Sequence, residues 1–498
     1  MSKSSQSHSR GSRHRKARQE LSSQLPPRDR RWQLFRILMV LLAIAAGGYF
    51  YSGGLTGQLN RWAVDAIAAR DLTQAKSYLD YALRVSPTNV DSIFLEARIA
   101  RRQGDVVEAN RLLSLALQRG CDSRKVQRER ILLAVQAGDL SEHEDQIRAW
   151  LLEPSSESAE ISEAYANGLA AASRFDDAAT ILNAWHLDFP DDPAPLFRLG
   201  RMNEHFSDQE LATDLYRQSI AIDPTYLPPR FALARILLDQ KQPEQALVHF
   251  DVCAQAPQNA AGLVGAAQCY VAIGNSDTAR ELLNDVIDRE AEAIETSYRL
   301  VEESPERFVA AAELGKLETN AGNFAEGLRW LNLALERNPR DNTARYSRAI
   351  ALRGLGRIDE ATAELQQVEE VKQALSQVNT MRNEINRNPD DLQTRIQLGN
   401  ILIKYESERT GVFWIRSALS RDPDYQPAHQ ALADYYQQRA RTSPEYARRA
   451  RFHRSRLLDN STRSVASGSS GGVKGNPGAK SRANQTAQEA DEERNAQP

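Results

Sequence analysis

The stretch that decides the fold is residues 193–226, PAPLFRLGRMNEHFSDQELATDLYRQSIAIDPTY. Its first half places an apolar residue before a small one, Leu199-Gly200, and its second half has small residues seven apart, starting at Ala212. Pro224 follows and ends the second helix, because a proline ring clashes with the preceding turn. Small side chains let two helices approach closely, so the stretch predicts a tightly packed pair of helices.

The same pattern recurs along the chain with a period of about 34 residues. The predicted units are residues 56–89, 90–123, 124–158, 159–192, 193–226, 227–259, 260–293, 308–341, 342–375, 392–425 and 426–458. The third unit is degenerate, because His143 and Trp150 occupy the small sites of its second helix. The ninth has no proline stop, so its second helix is predicted to continue to about Asn386.

The period and these residue types resemble the tetratricopeptide repeat. The turns Asn338-Pro339-Arg340-Asp341 and Asn388-Pro389-Asp390-Asp391 resemble that family's inter-repeat turns, in which Asp caps the next helix. The resemblance implies an all-α fold: a right-handed α-solenoid of about ten to eleven helix pairs with a concave inner face. Two blocks of repeats are predicted, 56–293 and 308–459, with an irregular linker at 294–307 and capping helices at the end.

One apolar segment precedes the repeats. No charged residue lies between Ile37 and Asn60, and residues 34–55 are near the minimum length that spans a bilayer as a transmembrane helix. Basic residues flank only its N-terminal side, so the positive-inside rule places residues 1–33 in the cytoplasm and the repeats outside it, in the periplasm if the source is bacterial. Two alternatives are a signal peptide cleaved after Ala45 and a buried core helix.

Charge is distributed unevenly along the chain. The net charge is −3, yet residues 1–36 carry +8 and residues 37–460 carry −12. An acidic body argues against nucleic acid as a partner, because phosphate binding needs a basic face. The terminal segments, 1–33 and 460–498, are too polar to bury a core and are predicted to be disordered.

No sequence motif indicates catalysis, a metal or a cofactor. The sequence HEDQI at His143 lacks the second histidine of a zinc motif, and no glycine-rich phosphate loop is present. The prediction is therefore a protein that is not an enzyme and has no cofactor. Acidic pairs such as Glu302-Glu303 are interpreted as solvated charges or caps. Cys253 and Cys269 lie on neighbouring helices, where either a disulfide or two buried thiols is compatible with the pattern.

The resemblance also implies which side chains face the concave groove. They are Phe197, Arg201, His205, Phe231, Arg235, Lys316, Asn320, Tyr346, Asn400 and Lys404. A basic residue recurs at one position in three units, as Arg201, Arg235 and Lys316. One interpretation is a groove for an extended acidic segment, with the two phenylalanines and the tyrosine as apolar anchors. The other is that these charges are solvated or paired within the chain.

These features together predict a membrane-anchored scaffold that binds proteins or extended peptide segments in cell-envelope assembly or secretion. Many weak contacts over a long surface suit such an adaptor. One alternative is an envelope protein that binds cell wall or glycan, in which aromatic platforms would line the groove. Another is a secreted repeat protein released by signal-peptide cleavage. The pattern itself specifies neither a particular partner nor an oligomeric state.

Overall fold

A computed structural model describes residues 30–51, 53–140, 142–153, 155, 157–206, 208–256, 259–303, 310–441 and 446–457. Within these ranges the secondary structure is helical, with no strand. The predicted disordered segments, apart from residues 30–33, and the end of the predicted linker lie outside the described residues. Residues 30–33 begin the first helix. The all-α prediction is therefore confirmed.

The chain divides into two compact units, residues 1–144 and 145–498. The helices of the first unit are α1 (Arg30–Tyr51), α2 (Gly54–Ala68), α3 (Leu72–Val85), α4 (Val90–Arg102), α5 (Val106–Gln118) and α6 (Ser123–Gln136). Among the described residues, no helix combines the length and apolar character that crossing a bilayer requires, so the transmembrane helix predicted at 34–55 is not supported.

Small residues and local caps shape the first unit. Ala75 and Ala109, at predicted small sites, are completely buried between paired helices. Gly104 takes a positive φ of 79° at the turn before α5, which glycine adopts without a steric penalty. The next residue, Asp105, accepts a hydrogen bond from the backbone N–H of Glu108 at 2.9 Å and caps α5. The packing and the turn both follow from the local sequence.

The second unit contains the remaining helices. They are α7 (Glu144–Leu152), α8 (Ser158–Ala171), α9 (Phe175–Asp188), α10 (Ala194–His205), α11 (Gln209–Ile222), α12 (Leu227–Asp239), α13 (Pro243–Gln255), α14 (Ala260–Ile273), α15 (Ser276–Ile287), α16 (Ala291–Leu300), α17 (Ala310–Asn320), α18 (Phe324–Arg337), α19 (Asn342–Gly354), α20 (Ile358–Arg387), α21 (Leu392–Tyr405), α22 (Glu408–Arg421), α23 (Gln426–Gln438) and α24 (446–457). Most of them pack in consecutive antiparallel pairs, as the repeat predicts.

Glycine permits the closest helix contacts of this unit. A Cβ atom on Gly399 would lie 2.6 Å from the carbonyl oxygen of Gly411, and one on Gly411 would lie 2.4 Å from the carbonyl oxygen of Gly399. The two glycines therefore face each other across the α21–α22 pair. Any side chain at either position would separate the helices, which explains why the repeat pattern has small residues there.

The predicted turn caps are also present. Asp341 accepts a hydrogen bond from the backbone N–H of Ala344 at 2.8 Å, and Asp391 accepts one from that of Thr394 at 2.9 Å. Each aspartate satisfies a backbone donor in the first turn of its helix. The Asn-Pro turns therefore end one helix and begin the next.

The predicted irregular linker at 294–307 is wrong in its first half, which α16 occupies. This single helix packs against α14, where the hydroxyl of Ser297 accepts a hydrogen bond from the backbone N–H of Ala261 at 3.2 Å. Tyr298 is 1% exposed and joins the core. The repeat pattern did not predict α16, because this helix is not one of a repeat pair and lacks the paired small residues of a repeat.

The longest helix departs most from the repeat. Helix α20 has 30 residues, whereas other second helices of pairs have about 13. At 1.5 Å per residue it extends roughly 25 Å beyond an ordinary repeat helix. Val378 and Ile385 on this extension pack with Trp414 and Leu402, and Phe206 contacts the same cluster. The predicted continuation to about residue 386 is confirmed, and it joins the last pairs to an earlier part of the unit.

The two cysteines on neighbouring helices do not form a disulfide. Cys253 and Cys269 are free and fully buried, and burial raises the pKa of each thiol to about 12. Both therefore act as small apolar side chains in the core.

Candidate functional site

An aromatic cluster joins the tenth helix pair of the chain to the fourth and fifth pairs within the second unit. Phe413 of α22 lies 4.6 Å from Phe175 of α9 and 4.8 Å from Phe206, which follows α10, between ring centroids. Its ring also stacks on His205 at 4.7 Å. Aromatic pairs at these separations add stability beyond their buried area. The tenth helix pair thus packs on the fourth and fifth pairs instead of continuing away from them.

Hydrogen bonds from α22 complete this closure at the turn between α8 and α9. The Arg416 guanidinium donates to the Ser173 hydroxyl at 3.0 Å and to the carbonyl oxygens of residues 170–171 at the end of α8. The Ser420 hydroxyl accepts from the backbone N–H of Phe175 at 3.3 Å, at the start of α9. We call these contacts the clasp. Burial lowers the pKa of Arg416 to about 10, so it stays charged at neutral pH.

The α8–α9 turn, which the clasp contacts, has neither a glycine at its positive-φ position nor a side-chain cap. In some other turns a glycine is followed by an acidic or amide cap, as in Gly104-Asp105. Here Ser173 takes a positive φ of 67°, and Arg174 provides no side-chain cap for α9. Unsatisfied groups at helix ends need partners. The clasp supplies them from a helix more than 240 positions later in the chain.

Two adjacent cavities lie in the second unit. The larger has a volume of about 900 Å³ and the smaller about 530 Å³, and His205, Glu406 and Thr410 line both. The charged lining of the larger cavity is Arg198, Arg201, Arg340, Arg409, Arg416, Arg449, Glu302, Glu303, Glu406 and Glu408. Six arginines against four glutamates give this lining a net positive charge.

A buried ion cluster forms one wall. Arg201 of α10 lies 3.4 Å from Glu303 and 3.6 Å from Glu204, and Arg235 of α12 pairs with the same two carboxylates. The Tyr216 hydroxyl donates to Glu204 at 2.8 Å. Glu303 is only 4% exposed at its side chain, so the interpretation of Glu302-Glu303 as solvated charges is wrong for Glu303. Glu303 lies three residues after the end of α16, and its carboxylate reaches the two arginines from there.

Electrostatics in this wall favour charged carboxylates and a neutral histidine. Burial alone would raise the pKa of Glu204, but the charges of Arg235 and Arg201 outweigh it and lower the pKa to about 2. Burial, together with the charges of Arg201 and Arg409, lowers the pKa of His205 to about 3. At neutral pH Glu204 is therefore ionised, and His205 is uncharged beside it.

Two of the predicted groove anchors are buried instead. Phe197 and Phe231 are each 1% exposed. Phe197 packs with Tyr216 and Tyr226, and Phe231 packs with Phe250. The prediction of an exposed apolar anchor is wrong for Phe231, because it lies between the helices of its own unit. Phe197 is buried in the same way, although it also lines the larger cavity. Successive residues of a helix point in different directions, so a residue next to a groove-facing position can point toward the core.

The other predicted groove residues divide by location. Arg201 and His205 line the larger cavity, and Arg235 lines the smaller one. The remaining ones lie outside both cavities: Lys316, Asn320, Tyr346, Asn400 and Lys404. Lys316 pairs with Glu313 at 2.5 Å and Lys404 with Glu370 at 3.7 Å, whereas Tyr346 is 50% exposed. Whether any of them binds a partner stays a prediction.

The sequence reasoning missed the cavity residues contributed by α20 and α22. Asn379, Arg382, Asn383 and Asn386 of α20 line the smaller cavity, and Arg409 of α22 lines the larger one. The four residues of α20 have a helical spacing that places them on one face. That spacing, in a helix continuing past its repeat, was the available signal.

Comparison with known proteins supports the repeat assignment. Models of the tetratricopeptide repeat match residues 60–124 and 312–374, and a second model of this repeat matches residues 261–293. These three segments therefore carry tetratricopeptide repeats. No curated protein sequence matches the chain.

Several solved structures are similar to part of this chain. The type IV pilus biogenesis factor PilW is 14% identical, with 43% of this chain and 94% of that chain covered and a TM-score of 0.35. PilF of Pseudomonas aeruginosa is 16% identical, covering 50% and 94%, with a TM-score of 0.26. YrrB, described as a TPR protein with an unusual peptide-binding site, is 18% identical, covering 43% and 96%, with a TM-score of 0.24. With TM-scores below 0.5, these likenesses carry no argument about function.

Replacing the clasp arginine should loosen the α8–α9 turn. In Arg416→Ala the carbonyl oxygens at the end of α8 lose their charged donor, and a lost hydrogen bond of this kind costs roughly 1.5–3 kcal/mol. We expect amide hydrogen exchange at residues 170–176 to accelerate by about tenfold or more. Arg217→Ala, which removes an exposed arginine on α11, is the matched control. Unchanged exchange at the turn in Arg416→Ala would contradict the clasp.

Removing one carboxylate of the ion cluster should destabilise the second unit in a pH-dependent way. Glu204→Gln leaves Arg201 and Arg235 short of negative charge, and breaking a buried pair costs about 3–5 kcal/mol. The folded pKa is about 2 against an ordinary 4.5, so this contribution is complete above pH 4.5 and is lost as the pH falls toward 2. Urea unfolding should show a large difference from wild type at neutral pH that shrinks in acid. The exposed-pair variant Glu326→Gln should show little change at either pH.

Proposed function

We propose that this chain, which carries tetratricopeptide repeats, is a scaffold that binds a segment of a partner protein inside the closed second unit. The observation that carries the proposal is the pair of adjacent cavities near the clasp. Their walls combine charged, amide and aromatic side chains, which is the mixture that fixes an ordered ligand in place. The fold is compatible with binding, and we assign no catalytic residue.

The size of the site supports a polymeric ligand. Small-molecule sites usually measure about 300–1,000 Å³. The two cavities measure about 900 and 530 Å³ and share three lining residues, so together they exceed that range. An extended polypeptide that occupied both cavities would contact the residues they share, His205, Glu406 and Thr410. A rigid chain of packed helices presents such a segment at a defined position, as an adaptor requires.

Membrane attachment remains part of the proposal and is supported by the exposed apolar surface of α1. Its side chains that are more than half exposed are Phe35, Ile37, Leu38, Met39, Val40, Leu41, Leu42 and Ile44. Burying such a surface in lipid is favourable. The charge of +8 on residues 1–36 supports a cytoplasmic N-terminus with the repeats on the far side, and a role in envelope assembly or secretion.

Orientation can be measured with an enzyme reporter fused after residue 498. We expect a reporter that functions only outside the cytoplasm to be active, because the arginines flank only the N-terminal side of α1. A reporter that functions only in the cytoplasm is the control fusion. Activity of the cytoplasmic reporter alone would contradict the proposed orientation.

The binding site can be tested by photo-crosslinking in cells. A photoreactive amino acid at Asn383, which lines the smaller cavity, should give adducts with a partner whose crosslinked segment is identified by mass spectrometry. The matched control places the same amino acid at Val248, which is 62% exposed on α13 and lines neither cavity. Adducts at Val248 but none at Asn383 would contradict the proposed site.

A further inference from the structure

We infer that one end of the first unit rests on the bilayer surface and binds anionic lipid headgroups. This end face consists of exposed residues at the end of α3, directly after α5 and at the start of α6: Tyr81, Arg84, Val85, Arg119, Arg124 and Lys125. The inference rests on the proposed membrane attachment through α1. It adds a second contact with the membrane, made by the repeats themselves.

The direction of the helices brings these residues to one end. Arg102 at the end of α4 donates to the carbonyl oxygen of Ile67 near the end of α2 at 2.6 Å, so α2 and α4 run the same way. Gln136 at the end of α6 donates to the carbonyl oxygen of Arg101 at 3.0 Å, so α6 runs with them. Helices α3 and α5 return through short turns and pack against these helices. The ends of α3 and α5 therefore lie beside the starts of α2, α4 and α6.

Helix α1 joins the repeats at this end. It ends at Tyr51, and α2 begins at Gly54. Residues 35–44 of α1 are exposed throughout, so this stretch does not pack along the repeats. A bilayer that takes up the apolar side chains of α1 would therefore meet the first unit at the end face.

The charge of the end face suits an anionic lipid surface. Its four basic residues outnumber the two acidic residues in the terminal turns and loops at this end, Asp91 and Asp122. Asp122 is engaged locally, because it accepts a hydrogen bond from the backbone N–H of Arg124 at 2.8 Å and caps α6. Arg119 and Lys125 form no ion pair with any residue that the structure describes. Basic side chains near an anionic membrane are attracted by its surface potential.

The opposite end of the first unit has the reverse charge. Its terminal turns and loops contain more acidic than basic residues. The acidic ones are Asp65, Asp71, Asp105, Glu108, Asp139 and Glu142, and the basic ones are Arg70, Arg101 and Arg102. An anionic bilayer therefore attracts the end next to α1 and repels the other end, which favours one orientation of the unit.

Tyr81 and Val85 give the end face an apolar part. They are 57% and 42% exposed, and the Arg84 guanidinium lies over the Tyr81 ring, 5.4 Å from its centroid. At 1.5 Å per residue Tyr81 is about 6 Å from the end of α3, and the headgroup layer is about 5–7 Å deep. Tyr81 can therefore reach the headgroups while α3 stays outside the apolar core of the bilayer. Tyrosine is enriched at this depth because its ring is apolar and its hydroxyl is polar.

The inference can be tested by fluorescence quenching with the full chain reconstituted into vesicles. A fluorophore is attached to Ser123→Cys, at the exposed start of α6, in a chain that also carries Cys121→Ser. The other two cysteines are buried and stay unlabelled. The vesicles contain a headgroup-linked quencher in phosphatidylcholine, with or without phosphatidylglycerol. We expect quenching in the anionic vesicles and little in the neutral ones, and the difference should disappear at an ionic strength of about 1 M, where the screening length is about 3 Å.

Two double variants separate the end face from the general charge of the chain. Arg119→Glu with Lys125→Glu should reduce quenching in anionic vesicles to the level of neutral vesicles, because each basic residue at such a surface contributes roughly fivefold to binding. Lys76→Glu with Arg111→Glu reverses two exposed basic residues toward the opposite end, near the starts of α3 and α5, and should be quenched like wild type. A label at Thr73→Cys, also toward that end, should stay unquenched.

Flotation of the vesicles distinguishes failure of the inference from failure of membrane attachment. A chain that floats with both kinds of vesicle but is not quenched at position 123, or is quenched equally after the Arg119 and Lys125 reversals, would overturn the inference and leave membrane attachment standing. A chain that floats with neither kind would contradict both. Urea unfolding identifies a misfolded double variant, in which case Arg119→Gln with Lys125→Gln replaces it.

Discussion

The carbonyl groups that end a helix need hydrogen-bond donors, and at the α8–α9 turn Arg416, more than 240 residues away in the chain, adds its guanidinium to the local backbone donors. This long-range contact, with the aromatic cluster around Phe413, holds the last helix pairs on the fourth and fifth. Without it the arginines of α10 and α22 would face open solvent. With it Arg201 and Arg409 line the larger cavity, where partial removal from water strengthens interactions between charges.

Much of the fold could be predicted because its determinants are local. The spacing of Ala212, Gly399 and Gly411 follows from how two helices touch, and the caps at Asp341 and Asp391 depend only on neighbouring residues. The length of α20 was predictable for the same reason, since no proline interrupts it. The packing of the tenth helix pair on the fourth and fifth was not predictable, because a contact between distant repeats leaves no periodic pattern in the sequence.

The candidate site was predicted in part. Arg201, His205 and Arg235 were expected to face inward, and all three line the cavities. Their charge state was not predictable, because it depends on Glu303, which arrives from outside the repeat pattern. Position within a repeat gives the face of a helix but not what stands opposite it. Buried ion clusters are therefore visible only once the tertiary structure is known.

An open solenoid tolerates gain or loss of a unit, because each unit depends only on its neighbours. The second unit of this chain does not have that freedom. The helix pairs between Ser173 and Arg416 must bring α22 back to the α8–α9 turn. Duplication or deletion of one repeat between these two residues would therefore misplace the arginine. A change in the number of repeats is therefore better tolerated before residue 170 than between residues 173 and 416.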